Sequence, residues 1–411
     1  MRRTIVALRP RALRYLLTRS THALLHPHRT EIVSGPSTQE WLDRWTTLGS
    51  LSDPRSRHLR RALAKELGIW VAEGTDFEST KGRMADILSD PRVRKFSVDE
   101  LLGVRTLIGA IGLFTLTENL LDIALQTSRY QMRKSRSNFE IQRAISGLLC
   151  EGKLAEARHV LQGNSEHLLP EANLLFRDYI SACTFSAATS EPHTIVIGPG
   201  PVGTFEKYSP RSASTVCRVL MPGVTDWTHG DVLDGRVTDV YANGETSEWF
   251  WQLAGSEREE LLRKAQRFHL KRIPAHHAVD TRIVQTKSVS ALFFSGIPNM
   301  VPLIVLSRLA SLPGGFQVSG TTFFAGVSPY RADQRRDRLA LGSSDEFGGV
   351  ERRFDRCVSH SLHDQAVNRR LIRNLGMSGW LSGDDLFERA LWLDEPDYLG
   401  ELESTYGRVQ R

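Results

Sequence analysis

The chain has 411 residues, 53 Lys and Arg against 47 Asp and Glu for a formal net charge of +6, with 40% hydrophobic, 24% charged and 8% aromatic residues. This usage excludes wholesale disorder, a collagen-like repeat and a multi-span membrane protein, and the length accommodates two or three domains. Cys150, Cys183, Cys217 and Cys357 stand far apart with no CxxC pair, so neither a disulfide framework nor a zinc knuckle is indicated, and a reducing, cytoplasmic setting is expected.

Residues 1–36 form a basic extension with no apolar run long enough for a signal-peptide core. Leu13, Leu16, Leu17 and Leu24 beside Arg11, Arg14 and Arg19 read either as a short amphipathic helix resting on an anionic membrane or as a solvated tail. Residues 37–186 carry few glycines and apolar residues at three- and four-residue spacing, as in Trp41, Leu42 and Trp45, which predicts an all-helical N-terminal domain. Its most apolar stretch, Leu101 to Leu125, is broken by Arg105, Glu118 and Asp122 and reads as buried helix, not a membrane span. Between Phe139 and Gln162, the order Leu148, Leu149, Gly152, Ala155, Ala157, Leu161 is tetratricopeptide-like. Without convincing further copies, an ordinary helical hairpin is the stronger reading.

The polar run Ala187 to His193 marks a change to Gly-, Pro- and Val-rich sequence. Short apolar runs predict strands at Thr194–Ile197, Val216–Leu220, Val237–Ala242, Leu292–Phe294 and Phe316–Ser319, with helices at Ser256–Phe268 and Val301–Leu312. This alternation predicts an α/β domain over 190–384, Rossmann-like with a parallel sheet, followed by a helical tail over 385–411.

The segment TIVIGPGPVG places Gly198, Gly200 and Gly203 in G-x-G-x-x-G spacing after a strand, a turn whose amide N–H groups can cradle phosphate. A dinucleotide enzyme would set a carboxylate at the end of the second strand; Arg218, suited to a 2′-phosphate, stands there instead. An NAD(P)-dependent oxidoreductase using this loop is therefore one alternative, and a non-catalytic helical-repeat interaction protein is another. No G-x-S-x-G or P-loop occurs, so hydrolase and kinase readings fall away. Arg331, Arg335, Arg336 and Arg338 read as solvated charge, and no nucleic-acid partner is expected. Asp384 with Asp385, and the run from Asp394, lack D-x-D spacing and read as solvated loop acids; adjacent His276 and His277 point apart, and His22, His26 and His28 lie in the extension. No metal and no cofactor are predicted.

Val196–Pro201, Val216–Leu220, Asp234–Gly244, Ser295–Phe324 and the helix from His363 together resemble, in order and spacing, the motifs of glycosyltransferase family 29, the sialyltransferases. Within those motifs Pro199 and Leu220 occupy positions where the family has asparagine, and Asn368 one where it has glutamate. The resemblance implies a GT-A-variant fold and an inverting, metal-independent transfer of a sugar from a nucleotide-sugar, with a CMP-sugar favoured, to a glycan or lipid-linked acceptor hydroxyl. It implies donor contacts at Gly198, Gly200, Gly203, Arg218, Asp239, Asn243, Ser295, Gly296, Gly320 and Thr321. Such a displacement needs a general base, and His363 is the candidate, since an imidazole with an ordinary pKa of ~6.5 accepts a proton near neutrality. His360 takes the role if the loop turns differently, and a capping or surface histidine is the plain alternative for His363.

Overall fold

The computed structural model describes residues 62–63, 65–66, 77–110, 112–135, 137–185, 193–204, 213–221, 237–274, 280–309, 315–325 and 363–407. The basic extension, Trp41, Leu42, Trp45, Asp234 to Arg236, His276, His277, the arginines from Arg331 to Arg338, Cys357 and His360 lie outside these residues.

The described residues from Phe77 to Thr184 are helical: α1 (Phe77–Leu88), α2 (Val98–Ala110), α3 (Thr117–Ser135), α4 (Asn138–Cys150), α5 (Leu154–Asn164) and α6 (Pro170–Thr184). Local chemistry fixes their ends. Ser97 and Glu100 form a reciprocal capping pair, with Ser97 N–H donating to Glu100 Oε2 at 2.8 Å, so α2 starts at Val98. The apolar stretch from Leu101 divides into α2 and α3 across a turn with Gly112 at φ 85°. Gly152 at φ 71° makes the tight turn between α4 and α5.

The remaining described chain alternates strand and helix: β1 (Thr194–Ile197), β2 (Thr215–Val219), β3 (Asp239–Ala242), α7 (Gly244–Gln252), α8 (Gly255–Leu262), β4 (Arg267–Leu270), β5 (Ile283–Gln285), α9 (Met300–Arg308), β6 (Phe316–Ser319), α10 (Gln365–Met377), β7 (Leu381–Gly383), α11 (Asp385–Trp392) and α12 (Glu395–Leu402). The strands form one seven-stranded sheet, all pairings parallel, in the order β5-β4-β3-β2-β1-β6-β7. The fold is α/β. Strands buried on both faces read as continuous apolar runs, and TIVI of β1 is buried throughout.

Two expectations are corrected. The helix expected over Ser256–Phe268 stops at Leu262, and Arg267–Leu270 is β4, because Phe268 and Leu270 alternate with Arg267 and His269 and fill a core with Val240, Ala242 and Phe250. Leu292–Phe294 is no strand: Ser290–Leu292 is a 3₁₀ turn, and the Phe294 ring packs against Gly147 of α4, where a Cβ would lie 3.2 Å away.

One sheet face carries Val196, Cys217, Val219, Tyr241, Phe316 and Val318, and these share a continuous hydrophobic cluster with α1–α6, α9 and α10–α12. Side chains of β3 and β4 on the other face pack with α7 and α8. Among the described residues no helix is long and apolar enough to cross a membrane. Cys150, Cys183 and Cys217 are buried free thiols, each pushed up to about 12 by burial.

Candidate functional site at the carboxyl edge of the sheet

The chain lays β2 to β5 down on one side of β1 and then returns to place β6 on the other. A crevice at the carboxyl ends of β1 and β6, where the winding direction reverses, is the usual ligand position in open parallel sheets. The glycines bring these two strand ends together. Gly198 N–H donates to Ser319 O at 2.8 Å and Gly200 N–H to Gly320 O at 2.7 Å. A Cβ on Gly320, which sits at φ 68°, would stand 2.6 Å from Gly198 O; one on Gly198 would stand 2.9 Å from Val301 Cγ2 in α9. No other residue fits either position without displacing backbone.

The rest of the loop is tied down by Asp384 and Asp385. Gly203 N–H donates to Asp384 Oδ2 at 2.9 Å and Thr204 N–H to Asp385 Oδ1 at 2.8 Å. Pro199 and Pro201 have no N–H, so in residues 198–204 only the Val202 amide is not engaged in one of these four bonds. The glycines therefore serve close approach between strands, and the amide cradle expected of a dinucleotide loop is already filled by the protein's own acceptors. Asp384, expected as a solvated loop acid, is fully buried: its Oδ2 also accepts from Ser319 Oγ at 2.6 Å, and its Oδ1 caps α11 by accepting from Phe387 N–H at 2.8 Å. Just beyond Gly320, Thr321 Oγ1 accepts from Phe323 N–H at 3.4 Å, and Phe323 (φ 48°) and Phe324 (φ 68°) hold left-handed backbone conformations that non-glycine residues rarely adopt.

From this crevice α9 leads to the second group of expected site residues. Its N-terminus abuts Gly198 through Val301, and the segment preceding it, Ser295–Asn299, docks on the start of α10. Asn299 N–H donates to Asn368 Oδ1 at 2.8 Å, while Asn368 Nδ2 donates to the carbonyls of Ile297 (3.2 Å), Asp364 (3.2 Å) and His363. Asn299 Nδ2 donates to Gln365 Oε1. Fully buried Asn368 thus uses both ends of its amide to clasp the two segments. Gly296, at φ 72°, lies where a Cβ would come within 2.5 Å of Asp364 Cβ and 2.9 Å of its backbone nitrogen.

His363 sits at the head of this junction, one residue before the α10 N-cap. Asp364 is 4% exposed, adopts φ 44°, and accepts from Val367 N–H at 3.3 Å, from Ser295 Oγ and from Arg105 Nη1. Arg105 reaches it from α2 and also donates through Nε to Thr117 O at 3.1 Å, so the helical half fixes the backbone next to His363. Behind the pair lies a cavity of about 20 Å³, lined by Arg105, Thr117, Asp364 and Leu399 among others, with room for about one water.

The other expected residues are placed apart. Arg218, in register with Ile197 and buried, lies in β2 beside the start of the glycine loop. Asn243 follows β3 at the carboxyl edge, where its Oδ1 caps α7 by accepting from Thr246 N–H at 2.7 Å. Asp239 opens β3 at the opposite, amino edge. There its fully buried carboxylate meets His269 Nε2 (2.7 Å), Arg267 Nε (3.0 Å), Arg308 Nη1 (3.2 Å) and Thr238 Oγ1 (2.8 Å). Burial pushes its pKa up, but the hydrogen bonds from His269 and Thr238 and the charges of Arg308 and Arg267 outweigh that and hold it at about 2. Arg308 ends α9, about 12 Å along the helix axis from Met300 at 1.5 Å per residue. Asp239 is therefore a buried ion-pair centre under α9 and does not border the crevice.

No protein-family model, no curated protein and no solved structure matches the chain. Among the described residues no group of three or more His, Cys, Asp or Glu side chains is arranged to hold a metal ion.

Proposed function

We propose that the chain is an inverting glycosyltransferase of sialyltransferase-like, GT-A-variant type, with His363 as general base and the nucleotide-sugar in the crevice between the β1 and β6 ends. The observation that carries this reading is the clasp through Asn368, which joins Ser295–Asn299 to the His363 helix next to the Gly198–Gly320 contact. Segments far apart in the chain, each singled out for the same chemistry, share one junction.

The chemistry follows from the parts. Asn299 makes no side-chain cap on α9, Pro302 has no N–H, and the start of this helix abuts Gly198 through Val301; an uncapped helix N-terminus at that place is suited to donor phosphate. The acceptor hydroxyl would lose its proton to the His363 imidazole while its oxygen attacks the anomeric carbon; the nucleotide departs with the electron pair of the broken bond, and the configuration inverts. The Arg105–Asp364–Ser295 group holds the backbone that presents the imidazole. The engaged amides of residues 198, 200, 203 and 204 make an oxidoreductase using this loop the weaker reading.

The test is to follow heat stability of the full chain against CMP, CMP-sugars, UDP-sugars and NADP. A ligand that binds only the folded state raises its midpoint. Stabilisation by a CMP-sugar or UDP-sugar is expected; stabilisation by NADP alone would overturn the assignment.

A further inference from the structure

The carboxyl edge carries a second polar group, at the ends of the strands two, three and four places away from β1 and its glycine loop. Pairing of β3 with β4 ends at Ala242 and Leu270, and pairing of β4 with β5 ends at Leu270 and Gln285. The next positions in register are Asn243, Lys271 and Thr286, and Thr286 N–H still donates to Leu270 O at 3.0 Å, carrying the ladder one residue past β5. Thr286 is 8% exposed, and its Oγ1 is buried without a hydrogen-bond partner among the described residues. Such a group is costly to leave unmet. Lys271 is held by its backbone, its N–H donating to Ser247 Oγ at 3.1 Å and its carbonyl accepting from Gln285 Nε2 at 2.7 Å. Among the described residues no carboxylate pairs with its ammonium, whereas neighbouring Arg272 is engaged by Glu248. Burial alone lowers the Lys271 pKa.

The three side chains share one chemical sense. Lys271 offers only donors. Asn243 has its oxygen committed to the α7 cap, which leaves its amide hydrogens, and the Thr286 hydroxyl is free to turn as a donor. Donors on three adjacent strand ends, with no acid among them, suit a ligand made of acceptors.

We infer that Asn243, Lys271 and Thr286 form an oxyanion-binding subsite for a phosphate or carboxylate group of a substrate. The subsite needs only these three residues and stands whichever reaction the main crevice performs. A compact ammonium on a flexible stem, partly withdrawn from water, is the residue type that gains most when an anion arrives.

The experiment uses the full chain at constant ionic strength, with chloride as the reference ion. Inorganic phosphate and D-glucuronate are titrated separately, and the concentration giving half of the rise in melting temperature is read for the native chain, Lys271→Gln and Thr286→Val. A saturable rise with one of the two is expected, and the ion that saturates first identifies the group as phosphate or carboxylate. Its midpoint should move about tenfold or more upward in both variants. An unchanged midpoint in either variant, or a rise no different from that in chloride, would overturn the subsite. A second measurement needs no variant: acetylation of Lys271 in the native chain, read by peptide mass, should slow in saturating anion while acetylation of Lys264 does not. Equal labelling with and without the anion would equally overturn it. Neither readout depends on turnover, so failure here is distinct from failure of the sugar-transfer reading.

Discussion

Asp239 and Asp384 show how little a carboxylate's local sequence says about its role. Both are fully buried, and both are satisfied by partners from distant segments: Asp239 by Arg308, 69 positions away, and Asp384 by Gly203, 181 positions away. Such partners leave no periodic signature, so Asp239 read as a substrate contact and Asp384 as a solvated acid. The consequence for Asp239 is measurable. Its folded pKa of about 2 lies below the unfolded value of ~3.9, so it contributes stability that is present above about pH 4 and is lost as pH falls toward 2. This contribution is on the order of 2 to 3 kcal/mol. Urea unfolding of the native chain and of Asp239→Asn at pH 5 and at pH 2.5 is expected to show a stability gap that narrows at the lower pH. A constant gap would contradict the ion-pair account.

At the scale of elements, the legible parts are those whose local pattern and tertiary burial agree. TIVI of β1, FQVS of β6 and the helix after His363 were readable from apolar runs and from period, because each is buried on the faces its pattern implies. β4 was hidden because its four residues continue the charged, helix-like run of α8 with no glycine or proline between them. β5 and β7, three residues each, are too short to show a period, and LSG of β7 has no β-branched residue. Beside the side-chain bonds that join them, the close approach of Ser295–Asn299 to α10 requires the left-handed Gly296 against Asp364. Replacing Gly296 by Ala adds a Cβ that would come within 2.5 Å of Asp364 Cβ and forces φ 72° on a residue that disfavours it. A loss of about 2 to 4 kcal/mol is expected in denaturant titration, whereas Gly163→Ala in α5, where the added Cβ meets nothing within 4 Å, is expected to gain up to about 1 kcal/mol.

For the whole molecule, the sheet order puts the β1 and β6 ends at the usual ligand position of open parallel sheets, and the helical half braces the start of α10 through Arg105. The winding direction reverses between β1 and β6, α9 carries its N-terminus to Gly198 at that place, and Arg105 from α2 holds Asp364 beside His363. Of the residues the resemblance implies, Gly198 and Gly320 stand at this edge and Asp239 at the opposite one; nothing in the sequence reveals that the glycine loop's amides are taken up by Ser319, Gly320, Asp384 and Asp385, since those acceptors arrive from β6 and from the end of β7. In the proposed reaction the imidazole at the head of α10 takes the acceptor's proton. The most direct test of this step is the initial rate of sugar transfer by the native chain and by His363→Ala, from whichever CMP-sugar or UDP-sugar stabilises the fold, with nucleotide binding measured in parallel. The rate is expected to fall about a hundredfold or more with binding of the nucleotide unchanged; transfer by His363→Ala at the native rate would show that this imidazole is not the base.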